Sequence, residues 1–291
     1  MPQHTSTSRL IAGTMSWGPW GQNWSTPQTI QAIADCIEVG INRFDHAAIY
    51  GGYTTEAQFG KAFVEGGFHR ETVEIISKCG IQYPSDKNVY TIKHYDYSPT
   101  EIRRSVEQSL RNLQTDYLDV LLLHRPSPLL DAKPVAEILN ILMAEGKIRE
   151  VGVSNFTPSQ MALLHQELPF TFHQLEVSLT HDAPLLNGDL DTAQRLHIQT
   201  MAWKPLGSYF GESTEQQARL RAVVPPMAEK YGLTEDALLL AWLLRHPAQI
   251  QPVLGTTQKA RWQAATKAVS AELALEDWFT LWTASMGHAV P

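Results

Sequence analysis

Residues 113–124 read LQTDYLDVLLLH. Within them, 117–123 (YLDVLLL) is a short apolar run that stops on an imidazole, His124. Ahead of it lies an amphipathic stretch, 99–113, entered through Ser98-Pro99, a capping side chain followed by a proline at the first helical position. Helix, then short buried strand, then polar strand end is the unit from which the rest of the chain is read.

Working outward, the same unit recurs. Short apolar runs fall at 9–14, 41–45, 73–78, 148–153, 171–176, 199–203 and 251–254. Helical patterns lie between and after them at 27–39, 56–65, 134–145, 158–166, 189–197, 215–231, 235–245 and 259–269, with Thr157-Pro158 opening one of them. About eight βα units in a chain of 291 residues, with no linker interrupting the alternation, predict a single (β/α)8 barrel domain over 1–291, an eight-stranded parallel core closed by a C-terminal helix. The competing open, doubly wound sheet needs fewer strands and a GxGxxG turn after its first strand, and that spacing is absent.

Composition narrows the function classes. With 23 basic against 30 acidic residues the formal charge is -7, and no Lys/Arg stripe offers a nucleic-acid surface. Two cysteines, Cys36 and Cys79, make no disulfide framework and no zinc spacing. The segment MPQHTSTSRL has neither the basic nor the apolar region of a leader, and no run approaches the ~18 apolar residues of a membrane span. A cytoplasmic protein is expected, one that engages neither nucleic acid nor membrane.

The polar strand ends carry the chemistry. Asp45 ends the second strand, Lys78 the third and His124 the fourth, each after apolar residues. In a closed parallel barrel all carboxyl ends meet at one face, so these side chains converge on one mouth, with Tyr50 in the loop after Asp45 able to join them. A phenol with a reference pKa of about 10 is a weak acid. A neighbouring ammonium favours its phenolate, a carboxylate holds that ammonium, and an imidazole can bind the oxygen being protonated. Taken singly, each residue is better explained by packing or a surface ion pair; convergence on successive strand ends favours protonation of a carbonyl oxygen as hydride reaches its carbon.

Three segments then resemble one family. Phe44–Gly51 reads FDHAAIYG, residues 113–124 read as quoted, and Gly146–Phe156 reads GKIREVGVSNF; GTMSWG at 13–18, Ser77-Lys78 and GTT at 255–257 support them. Together they resemble the aldo-keto reductases, in their bacterial oxidoreductase branch, in register over nearly the whole chain. The resemblance implies a tetrad of Asp45, Tyr50, Lys78 and His124, and reduction of aldehydes or ketones with NADP(H) and no metal. It further implies that Ser154, Asn155 and Gln174 bind a nicotinamide carboxamide and that Trp203 stacks on the ring, where a core role is the alternative. Lys204, Leu206 and Gly207 would follow the pyrophosphate, although the family commonly has a small hydroxyl residue where Lys204 stands; the lysine either pairs with a phosphate or points to solvent. Gly255, Thr256, Thr257 and Arg261, with Lys259 assisting, would hold the adenosine 2′-phosphate, an anion that suits an arginine fork. Ala264 and Ala265 replace the acid and amide usual near the adenine.

For the substrate, Trp17, Trp20 and Trp24 in the first βα loop, with Tyr53 after the tetrad tyrosine, predict an aromatic wall favouring apolar or aromatic carbonyl compounds. The tail 286–291 is a candidate cover for the site, and the loops 79–98 and 204–214 are long enough to carry function. Two rivals stand beside this reading. A cofactor-binding regulatory subunit of the ion-channel β type would share the fold and tetrad, but the chain shows no docking segment. A metal-dependent barrel hydrolase would need HxH or HExxH spacing, which none of the 11 histidines provides.

Overall fold

The structure, a computed structural model, describes residues 8–211 and 214–291, so residues 1–7 and two residues of the 204–214 loop lie outside it. The described residues form ten strands: β1 (Ile11–Gly13), β2 (Arg43–Asp45), β3 (Glu74–Cys79), β4 (Ile81–Gln82), β5 (His94–Tyr95), β6 (Leu118–Leu123), β7 (Ile148–Ser154), β8 (Phe172–Glu176), β9 (Gln199–Trp203) and β10 (Gln251–Leu254). Eight of them close in the order β1-β10-β9-β8-β7-β6-β3-β2, every pair parallel. The expected (β/α)8 barrel is the observed one.

Alternation along each strand sorts its side chains between two cores. Outward positions such as Ile75, Leu121, Leu123, Val151 and Val153 join the large cluster beneath the helices. Inward positions stack in layers: Ile11, Ile76, Val120, Leu122, Phe172, Met201 and Val253 fill the middle of the barrel as a separate apolar cluster. Two residues further along the same strands stand Lys78, His124, Gln174 and Trp203. The period of two therefore carries the polar strand ends inward above a dry floor.

The start signals read from sequence are real caps. Ser98 Oγ accepts from the Glu101 amide at 3.3 Å at the head of the helix Pro99–Leu113. Thr157 and Gln160 form a reciprocal capping box before Pro158–Glu167. The helix expected from 134 begins at Ala132, because Asp131 caps it and Pro134 sits in the first turn, where no intrahelical N–H is lost.

A pair of short strands was not foreseen. The loop 79–98 contains the antiparallel pair β4–β5, registered Ile81 on Tyr95 and Gln82 on His94, too short to show an alternation pattern. The C-terminal helix Leu275–Met286 docks through Trp278, which stacks on Trp242 at 4.8 Å and 9° while each indole N–H donates to the other residue's carbonyl. Beyond it Gly287, His288 and Ala289 line a groove with Arg219 and Phe279, so the tail lies along its own helix rather than over Tyr50. None of the described helices is long and apolar enough to cross a membrane.

Candidate active site

Lys78 is the hub of the barrel mouth. Its Nζ donates to both carboxylate oxygens of Asp45 at 2.7 and 2.6 Å, to the His46 carbonyl at 2.8 Å and to the Tyr50 hydroxyl at 3.2 Å. The lysine is 1% exposed. Backbone pairing fixes the distances: Asp45 is in register with Ile76, two residues before Lys78, and the Ala48 amide donates to the Lys78 carbonyl, which folds the Tyr50 loop back over the strand. The rings of Tyr50 and His124 meet edge to face at 6.1 Å and 77°. The three strand-end residues named from sequence and Tyr50 are brought together.

Charge states follow from burial and this hub. Burial pushes the Tyr50 phenol above its ordinary range; the Lys78 ammonium pulls the other way and is outweighed. The ammonium therefore eases formation of phenolate without overturning the preference for the neutral phenol. Burial also works against the Lys78 charge, yet Asp45 overrides it and the ammonium is held above its usual value. His124 is held well below its usual value, first by burial and then by Lys78, Arg125 and Lys93, so its imidazole is neutral and offers one N–H donor. Because an ammonium has only donors, the Tyr50 oxygen accepts from Lys78, and the phenol's own proton is left for another acceptor.

Next to this cluster, Ser154, Asn155, Gln174 and Trp203 form one linked polar unit. Asn155 Nδ2 donates to Ser154 Oγ at 2.6 Å, the Trp203 indole N–H donates to Asn155 Oδ1 at 2.8 Å, and Gln174 Nε2 donates to Asp45 Oδ1 at 2.8 Å. Asn155 sits at φ 61, in the left-handed region. Trp203 is thus a partly exposed strand-end residue bonded into the mouth, and the core alternative falls away.

A cleft of ≈ 260 Å³ runs outward from β9 and β10, lined by Lys204, Leu206, Gly255, Thr256, Arg261 and Ala265 among others. Gly207 closes the turn after Lys204 at φ 55, and a Cβ there would lie 1.9 Å from Thr180 Oγ1, so the turn admits only glycine. Lys204 pairs with Glu176 at 3.4 Å, which answers the question of its direction with a third option, a local carboxylate. Thr257 is half-buried beside Thr256. Ala264 lines an adjoining cavity with Arg261, Glu235 and Asp236.

Several expectations are corrected. Trp17 is 1% exposed and packed among Trp24, Phe44, Phe59 and Trp262, so it belongs to the core between the barrel and its helices. Trp24 packs on it at 5.3 Å. Tyr53 turns away into a polar cavity with Glu56, Gln82 and Glu101, its hydroxyl accepting from the Tyr83 amide at 2.8 Å. Of the four aromatics, Trp20 alone stands over the tetrad, 6.3 Å from the Tyr50 ring and 5.8 Å from Tyr83. Lys259 is occupied by Asp35 at 2.9 Å and Glu38 at 2.7 Å and does not assist Arg261.

Residues missed in the sequence are His46, Thr14 and Arg125. The His46 imidazole is wholly buried and bonds Thr14 Oγ1 at 2.9 Å; burial, then Lys78, lowers it to about 3. Arg125 places its guanidinium 5.5 Å from the Trp203 ring centre. The rule that selected His124 could have found Arg125, since it is the next residue after the same strand.

Comparison with known proteins agrees with this geometry. Residues 9–283 match the Aldo/keto reductase family. The chain is 41% identical over 295 residues to the oxidoreductase YdhF of Escherichia coli (strain K12), covering 100% of this chain and 97% of that one. It is 38% identical over 290 residues to a 6-dehydroglucose reductase of Agrobacterium fabrum (strain C58), covering 97% and 96%. Among solved structures, a thermostable aldo-keto reductase in complex with the inhibitor epalrestat superposes with a TM-score of 0.80 at 25% identity, covering 95% of each chain. With its parallel closed barrel, its converging strand ends and this end-to-end match, the chain belongs to the aldo-keto reductase family.

Proposed function

We propose that this protein is a cytoplasmic NADPH-dependent reductase that converts an aldehyde or ketone to the alcohol, with Tyr50 as the proton donor. The observation that carries the reading is the contact of Lys78 with the Tyr50 hydroxyl inside the Asp45 clamp, since it leaves a phenolic proton facing the mouth. The reductase name of the Agrobacterium relative supports the direction. Both cysteines are free, which supports a reducing compartment.

The residues present fit a nicotinamide dinucleotide. Amide and hydroxyl groups of Ser154, Asn155 and Gln174 match a carboxamide in kind, Gly255 leaves open space where a side chain would stand, and Arg261 has no ion pair among the described residues. An unpaired guanidinium beside the cleft favours the 2′-phosphate form of the cofactor. When bound, the cofactor supplies the hydride.

The remaining work falls to the chain. A neutral His124 donates its N–H to the substrate oxygen and fixes it against Tyr50. Tyr50 gives its proton to that oxygen. The resulting phenolate lies against the Lys78 ammonium, whose charge Asp45 maintains, and the apolar layer below excludes water.

NADPH absorbance followed with a panel of aldehydes, ketones and quinones tests the reading. Wild type should consume NADPH with some of them, and Tyr50→Phe should lower the rate by about 10²–10⁴. Equal rates for the two proteins would remove Tyr50 from the role.

A further inference from the structure

Arg125 is the first residue past β6, directly after His124, and its backbone is held unusually firmly. The Tyr97 hydroxyl donates to the Arg125 carbonyl at 2.6 Å and accepts from the Arg125 amide at 3.1 Å. Tyr97 is itself buried, against Gly80, where a Cβ would lie 2.1 Å from the tyrosine ring; Gly80 adopts φ 102. Tyr97, seated on Gly80, thus fixes where residue 125 stands.

Its side chain is held differently. The guanidinium lies half-buried, 5.5 Å from the Trp203 ring centre, and among the described residues it has no ion pair and no hydrogen-bond acceptor. Two other cations of the mouth are paired, Lys78 with Asp45 and Lys204 with Glu176. Arg125 lies close enough to Tyr50 and His124 to act electrostatically on both, and Lys93 acts on His124 from the 79–98 loop. A chain of net charge -7 therefore places uncompensated positive charge around its reacting atoms. Five N–H donors in a planar fork, standing beside Trp203 with no acceptor among the described residues, are equipped to grip oxygen atoms.

We infer that Arg125 binds the non-reacting oxygens of the substrate, and that the preferred substrates are carbonyl compounds bearing a hydroxyl or carboxylate within a few bonds of the carbonyl carbon. This rests on the reductase reading and replaces the apolar preference expected from the aromatic loop. Trp20 supplies a flat wall beside Tyr50; Arg125 supplies the polar contact that orients the substrate against it. A carboxylate and a pair of neighbouring hydroxyls present the same acceptor geometry to the fork, and they are distinguished by whether charge alone suffices.

Two size-matched pairs test it in the NADPH assay: glyceraldehyde against propanal, and glyoxylate against acetaldehyde, with wild type, Arg125→Met and Arg125→Lys. Aldehyde hydration is common to all three proteins, so the readout is the change in each kcat/KM ratio. In Arg125→Met both ratios should fall by about tenfold or more, mainly through KM of the oxygenated member. Arg125→Lys should rescue the glyoxylate ratio if charge dominates, and neither ratio if the planar fork is required. Unchanged ratios in Arg125→Met, or a defect confined to KM for NADPH, would overturn the assignment. If wild type reduces none of the four, the reductase reading fails separately, and titration of glycerate into wild type and Arg125→Met followed by NMR still decides: weaker binding by the variant supports the clamp and equal binding rejects it.

Discussion

The two ends of the barrel each bury a cation on a carboxylate, yet only one of them sets that cation against an ionisable phenol. At the lower end Arg43, 1% exposed, pairs through Nε with Glu74 at 2.7 Å, donates through Nη1 to Gln251 at 2.5 Å and lies over Phe172. At the upper end Lys78, equally buried, pairs with Asp45 at 2.6 Å. The partners of Arg43 are fixed protein groups that close the barrel floor. One partner of Lys78 is a phenol whose proton faces outward. Burial and ion pairing are thus shared, and the transferable proton is the difference, in keeping with the division of barrels into a stabilising bottom and a reactive top.

Removing each cation tests that contrast. Lys78→Met leaves Asp45, 3% exposed at its side chain, charged and uncompensated in the barrel. Urea unfolding should show a loss of about 3–5 kcal/mol, and NADPH oxidation should fall with it, because the phenolate loses its counter-charge. Arg43→Met takes one partner from Glu74 instead, whose side chain is 29% exposed and can be hydrated. A smaller loss of about 1–3 kcal/mol is expected, with turnover per folded molecule unchanged. Equal loss of turnover in both variants would erase the distinction between the two ends.

Acid should also act on the upper end. Burial, chiefly, lowers the His46 imidazole there to about 3 and that of His173, which faces the helices, to about 4. Above the ordinary value of 6.5 both folded and unfolded chains hold neutral rings; below it the unfolded chain takes up protons that the folded chain refuses. Stability is therefore complete above about pH 6.5 and falls as pH drops toward 4, by about 2 kcal/mol per imidazole at pH 5. His46→Gln should flatten that limb in unfolding measured from pH 7 to 4; an unaltered slope would show that His46 does not titrate this way.

The smallest effect lies farthest from the proton. Arg261→Ala should raise KM for NADPH by about tenfold while leaving KM for NADH nearly level. Similar changes for both cofactors would assign Arg261 to a part that they share.

The sequence was most legible where a residue's role follows from its place along one element. Asp45, Lys78 and His124 were found because strand ends converge in any closed parallel barrel, and Ser98 and Thr157 because caps act within four residues. The aromatic loop was misread for the opposite reason. Trp17 and Trp20 are three residues apart and chemically identical, and only the packing of Phe44, Phe59 and Trp262 decides that one enters the core and the other overhangs Tyr50. Lys259 and Arg261 likewise look interchangeable until Asp35 and Glu38, more than 220 residues earlier, claim the lysine.

By itself, then, the sequence determined the barrel and the convergence of Asp45, Tyr50, Lys78 and His124 at one face, since these depend on periodicity and on short-range backbone rules. The tertiary structure alone decided which cations remain unpaired, which tryptophans reach the mouth and that Arg125 stands over Trp203. Those outcomes depend on partners remote in the chain, whose meeting is set by how the helices and strands pack and not by any local pattern.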